Sequence, residues 1–264
     1  MREPPDRDLR RRLRFAHDLL DETDEIALGA WGAELQVSTK PDRTLVSQAD
    51  TDIELRMRER IATAYPAEAF LGEELGGAVS PAAEARWIVD PIDATHNFVR
   101  GIGVFATLLA FERGGNVELG LASAPALGQR WFAARGAGAF VRGMRGEHPI
   151  RVSAISRLEE AHVLYGSLGG LDEDRDARLG AIARSAWRNR GFGDFWGHVL
   201  VAQGSAEVMV ESDLKPWDLA APGIILAEAG GRLTDFTGRS TWWGPEAVST
   251  NGLLHDLILA RLAG

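Results

Sequence analysis

Acidic residues stand at three points of the sequence where a metal ion could be bound. Asp90 and Asp93 end one short apolar run, Glu73 follows another, and Asp218 opens a predicted helix. Pro91 fixes one φ angle between the first two, and a sharp turn there can bring carboxylates three residues apart to one point. Such hard oxygen ligands suit Mg²⁺, which usually keeps several waters and shares a substrate phosphate. The pattern therefore favours a magnesium site that shares a substrate phosphate.

Each of these residues also has a purely structural interpretation. Asp93 and Asp218 could serve as helix N-caps. Asp50, three residues after Ser47, fits a capping box. The two adjacent glutamates at 73–74 could lie on a solvated surface. The ordered combination, a DPxDxT segment followed far downstream by Trp-Asp, favours one chemical site over several separate structural roles.

Two patterns of predicted secondary structure position these residues. A helix over 8–30 and a helix from Ser47 precede a buried strand over 86–90 and an antiparallel meander over 104–142. From residue 151 strands alternate with helices, which is typical of a layered α/β unit. The predicted strands are 162–166, 188–192, 206–210 and 232–235, and the predicted helices are 173–186, 194–203, 218–229 and one from 253.

The change of pattern predicts two halves. An N-terminal α+β half over residues 1–147 carries most of the metal ligands, and a C-terminal α/β half over residues 148–264 carries Asp218 and the residues that read the substrate. We place the boundary in the segment 143–150.

Composition and motifs exclude several classes of function. The 264 residues are 45% apolar and 25% charged, as in an ordinary globular protein, and there is no cysteine for disulfides or thiolate metal sites. A net charge of −9 disfavours nucleic acid as a partner. The sequence has no P-loop, HExxH or GxSxG motif. No apolar run approaches the roughly 20 residues of a membrane span, and the N-terminal segment lacks the apolar core of a signal peptide, so we expect a cytoplasmic protein without membrane contact.

Several segments together resemble the inositol monophosphatase family of Mg²⁺-dependent, lithium-sensitive phosphatases. The segments, in matching order and spacing, are 72–74 (GEE), 87–98 (WIVDPIDATHNF), 217–221 (WDLAA) and 228–231 (EAGG). Within the family, the chain is most similar to the bacterial histidinol-phosphate phosphatase branch. The segments that carry this likeness are 40–42, 98–101, 130–136, 193–195 and 250–255. The resemblance covers nearly the whole chain and implies a layered α-β-α-β-α sandwich, of α+β or α/β class, usually assembled as a homodimer.

The resemblance also implies a ligand set. By matching position, Glu73, Asp90 and the carbonyl of Ile92 would hold a first Mg²⁺. Asp90, Asp93 and Asp218 would hold a second, and a third, weaker ion would again use Glu73. Four converging carboxylates would repel one another and raise one another's pKa without cations, so two or three Mg²⁺ ions are expected.

The segment after Asp93 is expected to bind the phosphate. The amides of Ala94 and Thr95 would contact it at the start of a helix, and Asp93 also lies beside the substrate. Thr95 with Asp50, or with Glu73, would orient a metal-activated water that attacks phosphorus in line, without a covalent phosphoenzyme.

Two positions in this segment depart from the family pattern. Ala94 stands where glycine is usual, and a positive φ there would cost about 1 kcal/mol. His96 stands where lysine is common. We interpret it as an exposed helix residue, with a pH-dependent charge as the alternative.

Substrate choice is expected to depend on the second half of the chain. Glu211 aligns with a carboxylate that contacts the polyol in inositol phosphatases, and it could equally pair with the amine of histidinol phosphate. Asp194 adds a second acid, which suits a cationic ligand, although an N-cap role is its alternative. We expect Trp196, Trp217, Trp242 and Trp243 to fill the core rather than line the pocket.

Three functions follow from these residues. The first is a histidinol-phosphate phosphatase of histidine biosynthesis, and the second is a phosphatase for inositol or related sugar phosphates. The third is a catalytically dead relative that binds phosphate ligands or protein partners. The third is disfavoured because every metal carboxylate and Thr95 are present.

Overall fold

Two amphipathic helices begin the fold and pack against each other. They are α1 (Arg7–Ala30) and α2 (Gln48–Ala64), and the predicted helices over 8–30 and from Ser47 are confirmed. A short antiparallel ribbon of β1 (Val37–Thr39) and β2 (Leu45–Ser47) comes between them in the chain. The computed structural model describes residues 7–33, 37–39, 45–77 and 84–264, and the segment 40–42 used in the resemblance lies outside them.

The next part of the chain forms a seven-stranded sheet whose order follows the sequence. Its strands are β3 (Ala69–Gly72), β4 (Ala85–Asp93), β5 (Ala106–Arg113), β6 (Asn116–Ala124), β7 (Gln129–Ala134), β8 (Gly138–Gly143) and β9 (Gly146–Ile150). Strands β3 and β4 are parallel, and every later pair is antiparallel. The short helix α3 (Thr95–Val99) connects β4 to β5.

The remaining elements form a five-stranded mixed sheet and four helices. The strands are β10 (His162–Tyr165), β11 (Arg188–Gly191), β12 (Val208–Ser212), β13 (Arg232–Thr234) and β14 (Glu246–Thr250), in the spatial order β11-β10-β12-β14-β13. The helices are α4 (Glu173–Ser185), α5 (Asp194–Ala202), α6 (Pro216–Glu228) and α7 (His255–Ala263).

Three hydrophobic cores show that these elements stack in five layers. Trp87 and Val89 of β4 belong to the core shared with α1 and α2, whereas Ile88 belongs to the core shared with α5 and α6. This alternation is the period of a strand that is covered on both faces. A third core joins the five-stranded sheet to α4 and α7. The predicted α-β-α-β-α sandwich is confirmed, with α5 and α6 between the two sheets.

Besides the short β1-β2 ribbon, two strands of the larger sheets were missed by sequence analysis. Strand β9 lies in the segment 143–150, where we expected a boundary, and it forms a hairpin with β8. Strand β14 pairs antiparallel with both β12 and β13. The 147/148 division therefore cuts through β9, and α6 from the second half packs on the first sheet, while the two-half organisation itself stays a prediction. Among the described helices, none is long and apolar enough to cross a lipid bilayer.

Candidate active site

An irregularity at the end of β4 redirects the predicted ligand segment. Pairing with β5 is regular as far as Asp90 and resumes at Asp93 after a register shift. Residues three apart on a regular strand face opposite sides of the sheet, so this shift lets the two carboxylates converge. The hydroxyl of Thr107 donates to the carbonyl of Pro91 at 2.8 Å and ties the irregular segment to β5.

Three of the predicted metal ligands meet at this point. Carboxylate oxygens of Asp90, Asp93 and Asp218 all lie within 4.8 Å of one another. Asp218 reaches the cluster from the first turn of α6, where its Oδ2 accepts the backbone N–H of Lys215 at 2.7 Å. It is therefore the third helical residue of a capping box rather than the N-cap, and this bond holds its carboxylate toward the cluster. We call these three residues the acidic cluster.

Burial and repulsion between neighbouring carboxylates disfavour the charged forms of the three residues of the acidic cluster. Burial, and then the charges of Glu73 and the other carboxylates, raise the pKa of Asp90 well above its usual range. Burial and the neighbouring carboxylates do the same for Asp93 and raise the pKa of Asp218 to about 7. Oδ1 of Asp90 is buried and has no hydrogen-bond partner among the described residues. An orphaned oxygen beside further carboxylates fits a bound divalent cation, which supplies the missing positive charge.

Glu73 and Asp50 lie beside the acidic cluster rather than in it. Glu73 follows β3 and raises the pKa of Asp90 through its charge, yet it is not among the carboxylates that meet within 4.8 Å. Asp50 accepts the backbone N–H and the hydroxyl of Ser47 at 2.8 and 2.6 Å, so the predicted capping box is present. Its other oxygen is buried and unpartnered in the described part of the chain. Burial, and then the charge of Glu73, raise the pKa of Asp50 to about 6. Asp50 thus forms the predicted capping box and also places an acidic group near the acidic cluster.

The turn after β4 has the strained, positive φ angle that we considered for Ala94 from the sequence. Ala94 has φ 66° and ψ 45°, a left-handed conformation that costs an L-residue about 1 kcal/mol. The hydroxyl of Thr95 donates to the carbonyl of Ile92 at 2.9 Å, which leaves a second lone pair on that carbonyl for a cation. His96 is exposed on α3, in agreement with the interpretation that we favoured.

Two further acidic residues, Asp194 and Glu211, are connected to the acidic cluster through backbone N–H groups at the start of α5. The backbone N–H of Phe195 donates to Asp93 at 2.9 Å, and that of Asp194 donates to Glu211 at 2.8 Å. Burial, and then the charge of Glu211, raise the pKa of Asp194 to about 7. Gly193 occupies the N-cap of α5, so the proposed cap role does not fall to Asp194, which begins the helix with φ 59°. We call Asp194 and Glu211 the acidic pair.

Two buried residues near these groups were missed in the sequence. His198 lies between Glu211, at 3.2 Å from Nε2, and Ser249, at 2.8 Å from Nδ1. Glu54 lies under the segment that carries Glu73 and accepts backbone N–H groups there. Each stands four residues after a predicted site residue on the same helix, a spacing that places them on one face. That spacing is the signal that could have found them.

We expected all four of these tryptophans to fill the core, and the structure confirms this for three of them. Trp196, Trp217 and Trp242 pack against the central core. Trp243 is 42% exposed and stacks on Trp242 with ring centroids 4.5 Å apart, so it does not fill the core. Both also line a surface cavity of about 540 Å³ that includes none of the predicted site residues.

Comparisons with known proteins agree with this geometry. The model of the inositol monophosphatase family matches residues 8–263. A histidinol-phosphatase of Mycobacterium tuberculosis is 43% identical over 255 residues, which cover 95% of this chain and 97% of the relative. A histidinol-phosphatase of Streptomyces coelicolor is 42% identical, with 95% and 96% covered. The solved structure of an IMPase from Thermotoga maritima has a TM-score of 0.85 at 31% identity and covers 96% of each chain.

The layered fold, with a buried acidic cluster of the kind that fits a metal ion, defines the general class, a phosphomonoesterase. The particular family follows from the comparisons: the chain belongs to the inositol monophosphatase family.

Proposed function

We propose that the protein is a Mg²⁺-dependent histidinol-phosphatase of histidine biosynthesis. It hydrolyses L-histidinol phosphate to L-histidinol and inorganic phosphate. The oxygen of water forms a bond to phosphorus, the bond from phosphorus to the alcohol oxygen breaks, and a proton from water ends on the released alcohol. The likeness to histidinol-phosphatases over nearly the whole chain supports this assignment.

The metal is proposed to lie at the acidic cluster. Asp90, Asp93 and Asp218 would hold two Mg²⁺ ions together with Glu73 and the Ile92 carbonyl. A third ion would also be bound by Glu73. When bound, the ions supply positive charge to the attacking and leaving oxygens of an in-line displacement. The orphaned buried oxygen of Asp90 supports the proposal because a cation would supply the partner that it lacks.

Residues around the cluster are proposed to hold the phosphate and the water. The amides of Ala94 and Thr95 would contact phosphate oxygens beside Asp93. The Thr95 hydroxyl would orient the attacking water with Asp50, whose free oxygen is buried at the site, or with Glu73. The raised pKa of Asp50, about 6, suits a group that exchanges a proton near neutrality.

The observation that carries the choice of substrate is the acidic pair beside the cluster. Asp194 and Glu211 adjoin Asp93 through consecutive backbone donors of α5. In the described part of the chain, no arginine or lysine forms an ion pair with either residue. A substrate that carries a phosphate at one end and a protonated amine at the other matches both regions. A neutral polyol leaves the charge of the acidic pair unmatched.

The test is phosphate release from L-histidinol phosphate, inositol 1-phosphate, fructose 1,6-bisphosphate and an adenosine bisphosphate, each with and without Mg²⁺. Strong, Mg²⁺-dependent preference for histidinol phosphate supports the proposal. Equal activity across the sugar phosphates favours the second candidate, an inositol or sugar-phosphate phosphatase, which the structural likeness to an IMPase supports. Absence of activity on all four substrates contradicts both.

Assembly and location belong to the same proposal. A homodimer and a cytoplasmic location are implied by the resemblance to bacterial members of this branch, as is inhibition by lithium. Sedimentation of the purified protein tests the dimer, and titration of the activity with LiCl tests the inhibition.

A further inference from the structure

Glu54 is a buried carboxylate beneath the segment that carries Glu73. It lies four residues after Asp50 on α2, and its side chain is 0% exposed. Its Oε2 accepts the backbone N–H of Glu74 at 2.7 Å, and its Oε1 accepts that of Leu75 at 3.0 Å. Both donors directly follow Glu73, so the two oxygens of one side chain close the turn after that residue.

The surrounding residues hold the Glu54 carboxylate in place. Arg58 donates to Oε1 of Glu54 at 3.3 Å and to the carbonyl of Gly76 at 2.6 Å, so one guanidinium joins the carboxylate to the far side of the turn. A Cβ atom built at Gly72 would overlap the carboxylate group of Glu54. The glycine of the Gly-Glu-Glu segment is therefore explained by the close approach of Glu54.

We propose that Glu54 is a positioning residue for the metal site, because it fixes the turn that carries Glu73 and thereby sets the affinity for Mg²⁺. The inference rests on the proposed function, in which Glu73 is a ligand. Asp90, Asp93 and Asp218 are brought together by β4 and α6, whereas Glu73 stands after the last paired residue of β3. Its position relative to the cluster therefore depends on the turn that Glu54 closes. Partners of this kind, which orient a ligand without touching the ion, strongly affect metal affinity.

The substitution Glu54→Gln tests this role. An amide has one acceptor oxygen where the carboxylate has two, so its NH₂ group would face either Glu74 N–H or Leu75 N–H and the turn must shift. The matched control is Glu112→Gln. Glu112 is also buried, pairs with Arg86 at 2.5 Å and accepts the backbone N–H of Gly115, but it lies at the opposite end of β5 from the cluster.

The measurement is Mg²⁺ binding to the whole protein by isothermal titration calorimetry, together with the melting temperature in EDTA. We expect both variants to melt lower than wild type, and only Glu54→Gln to raise the Mg²⁺ dissociation constant, by about 10- to 100-fold. The Mg²⁺ concentration for half-maximal activity should rise in parallel, while kcat at saturating Mg²⁺ stays within a few-fold of wild type.

The outcomes separate this inference from the proposed function. If wild type binds no Mg²⁺, the proposed function fails. If wild type binds and Glu54→Gln binds equally well, the role of Glu54 is overturned. Should Glu54→Gln fail to fold, Gly72→Ala decides, because its methyl group displaces the carboxylate while both donors remain. Unchanged Mg²⁺ affinity in that variant overturns the proposal as well.

Discussion

Asp90 of the acidic cluster and Glu211 of the acidic pair are neighbouring buried carboxylates with different supplies of hydrogen-bond donors. In the cluster, Asp90 keeps a buried oxygen without a partner in the described part of the chain. In the pair, Glu211 receives the N–H of Asp194 on one oxygen and faces His198 on the other. A buried carboxylate oxygen without a donor needs a cation or a proton, whereas one with donors tolerates an empty site. In the proposed function, the first arrangement suits a resident metal and the second suits a cationic substrate that binds and leaves.

The two regions are linked by the first turn of α5. Its consecutive N–H groups serve Glu211 and Asp93 respectively, and such groups at a helix N-terminus have no partner within the helix. One helix therefore sets the spacing between the acidic cluster and the acidic pair. In the proposed function, this spacing would set the distance between the amine and the phosphate of the substrate.

The largest effect is expected from Asp93→Asn. A neutral amide weakens the second metal, and kcat should fall about 10³-fold, since metal ions supply several kcal/mol of transition-state stabilisation. The melting temperature in EDTA should equal or exceed that of wild type, because one of the repelling carboxylates becomes neutral. Steady-state kinetics and thermal unfolding measure both quantities. Asp256→Asn, an exposed position on α7, is the control, and normal turnover by Asp93→Asn would remove the two-metal assignment.

The next effect distinguishes the acidic pair from the cluster. Glu211→Gln removes a charge that is proposed to bind the substrate amine, and kcat/KM for histidinol phosphate should fall about 10- to 100-fold. Hydrolysis of inositol 1-phosphate should change much less, because that substrate has no amine. Glu207→Gln is the matched control, since Glu207 is also buried and accepts the N–H of His162 at 2.6 Å. Equal losses on both substrates would mean that Glu211 has a structural role alone.

A smaller effect concerns pH and the metal. The folded pKa values of Asp50, about 6, and Asp218, about 7, lie above the unfolded value near 4. Between these limits the metal-free folded state binds more protons than the unfolded state, so its stability falls as the pH rises. Mg²⁺ replaces those protons, and the rise in melting temperature on adding Mg²⁺ should be several degrees larger at pH 8 than at pH 5.5. Calorimetry at both pH values, in EDTA and in Mg²⁺, checks this. A rise of equal size at both pH values would contradict the charge balance described for the cluster.

The smallest effect is expected at Ala94, in the turn directly after Asp93 of the acidic cluster. Ala94→Gly relieves a strained φ angle but loosens the unfolded chain, and these terms of about 1 kcal/mol nearly cancel. The melting temperature should stay within about 2 °C of wild type, with kcat within about threefold. Ala62→Gly, at an exposed helical position of α2, should lower the melting temperature by several degrees because no strain is relieved there. A large gain in kcat for Ala94→Gly would instead show that alanine limits the enzyme.

Much of the fold could be predicted because its elements have strong periodic patterns. The helix over 8–30 and the meander over 104–142 have repeating apolar positions. Strand β9 has the sequence GEHPI and contains no buried residue. It therefore lacks the alternation of apolar and polar residues that predicts a strand. Strand β14 takes its place by pairing with β12 and β13, and such long-range pairing leaves little signal in a short segment.

The sequence by itself determined the class of chemistry, since the DPxDxT segment, the Gly-Glu-Glu segment and Trp217-Asp218 define the family. It also determined the capping box of Asp50, because local hydrogen bonds depend on near neighbours in the chain. Only the tertiary structure decided that Ala94 has a positive φ, that Glu54 closes the turn after Glu73, and that His198 faces Glu211. The four-residue spacing could mark Glu54 and His198 as candidates, but their partners and the φ angle of Ala94 are imposed by packing between distant elements, which residue type and spacing do not encode.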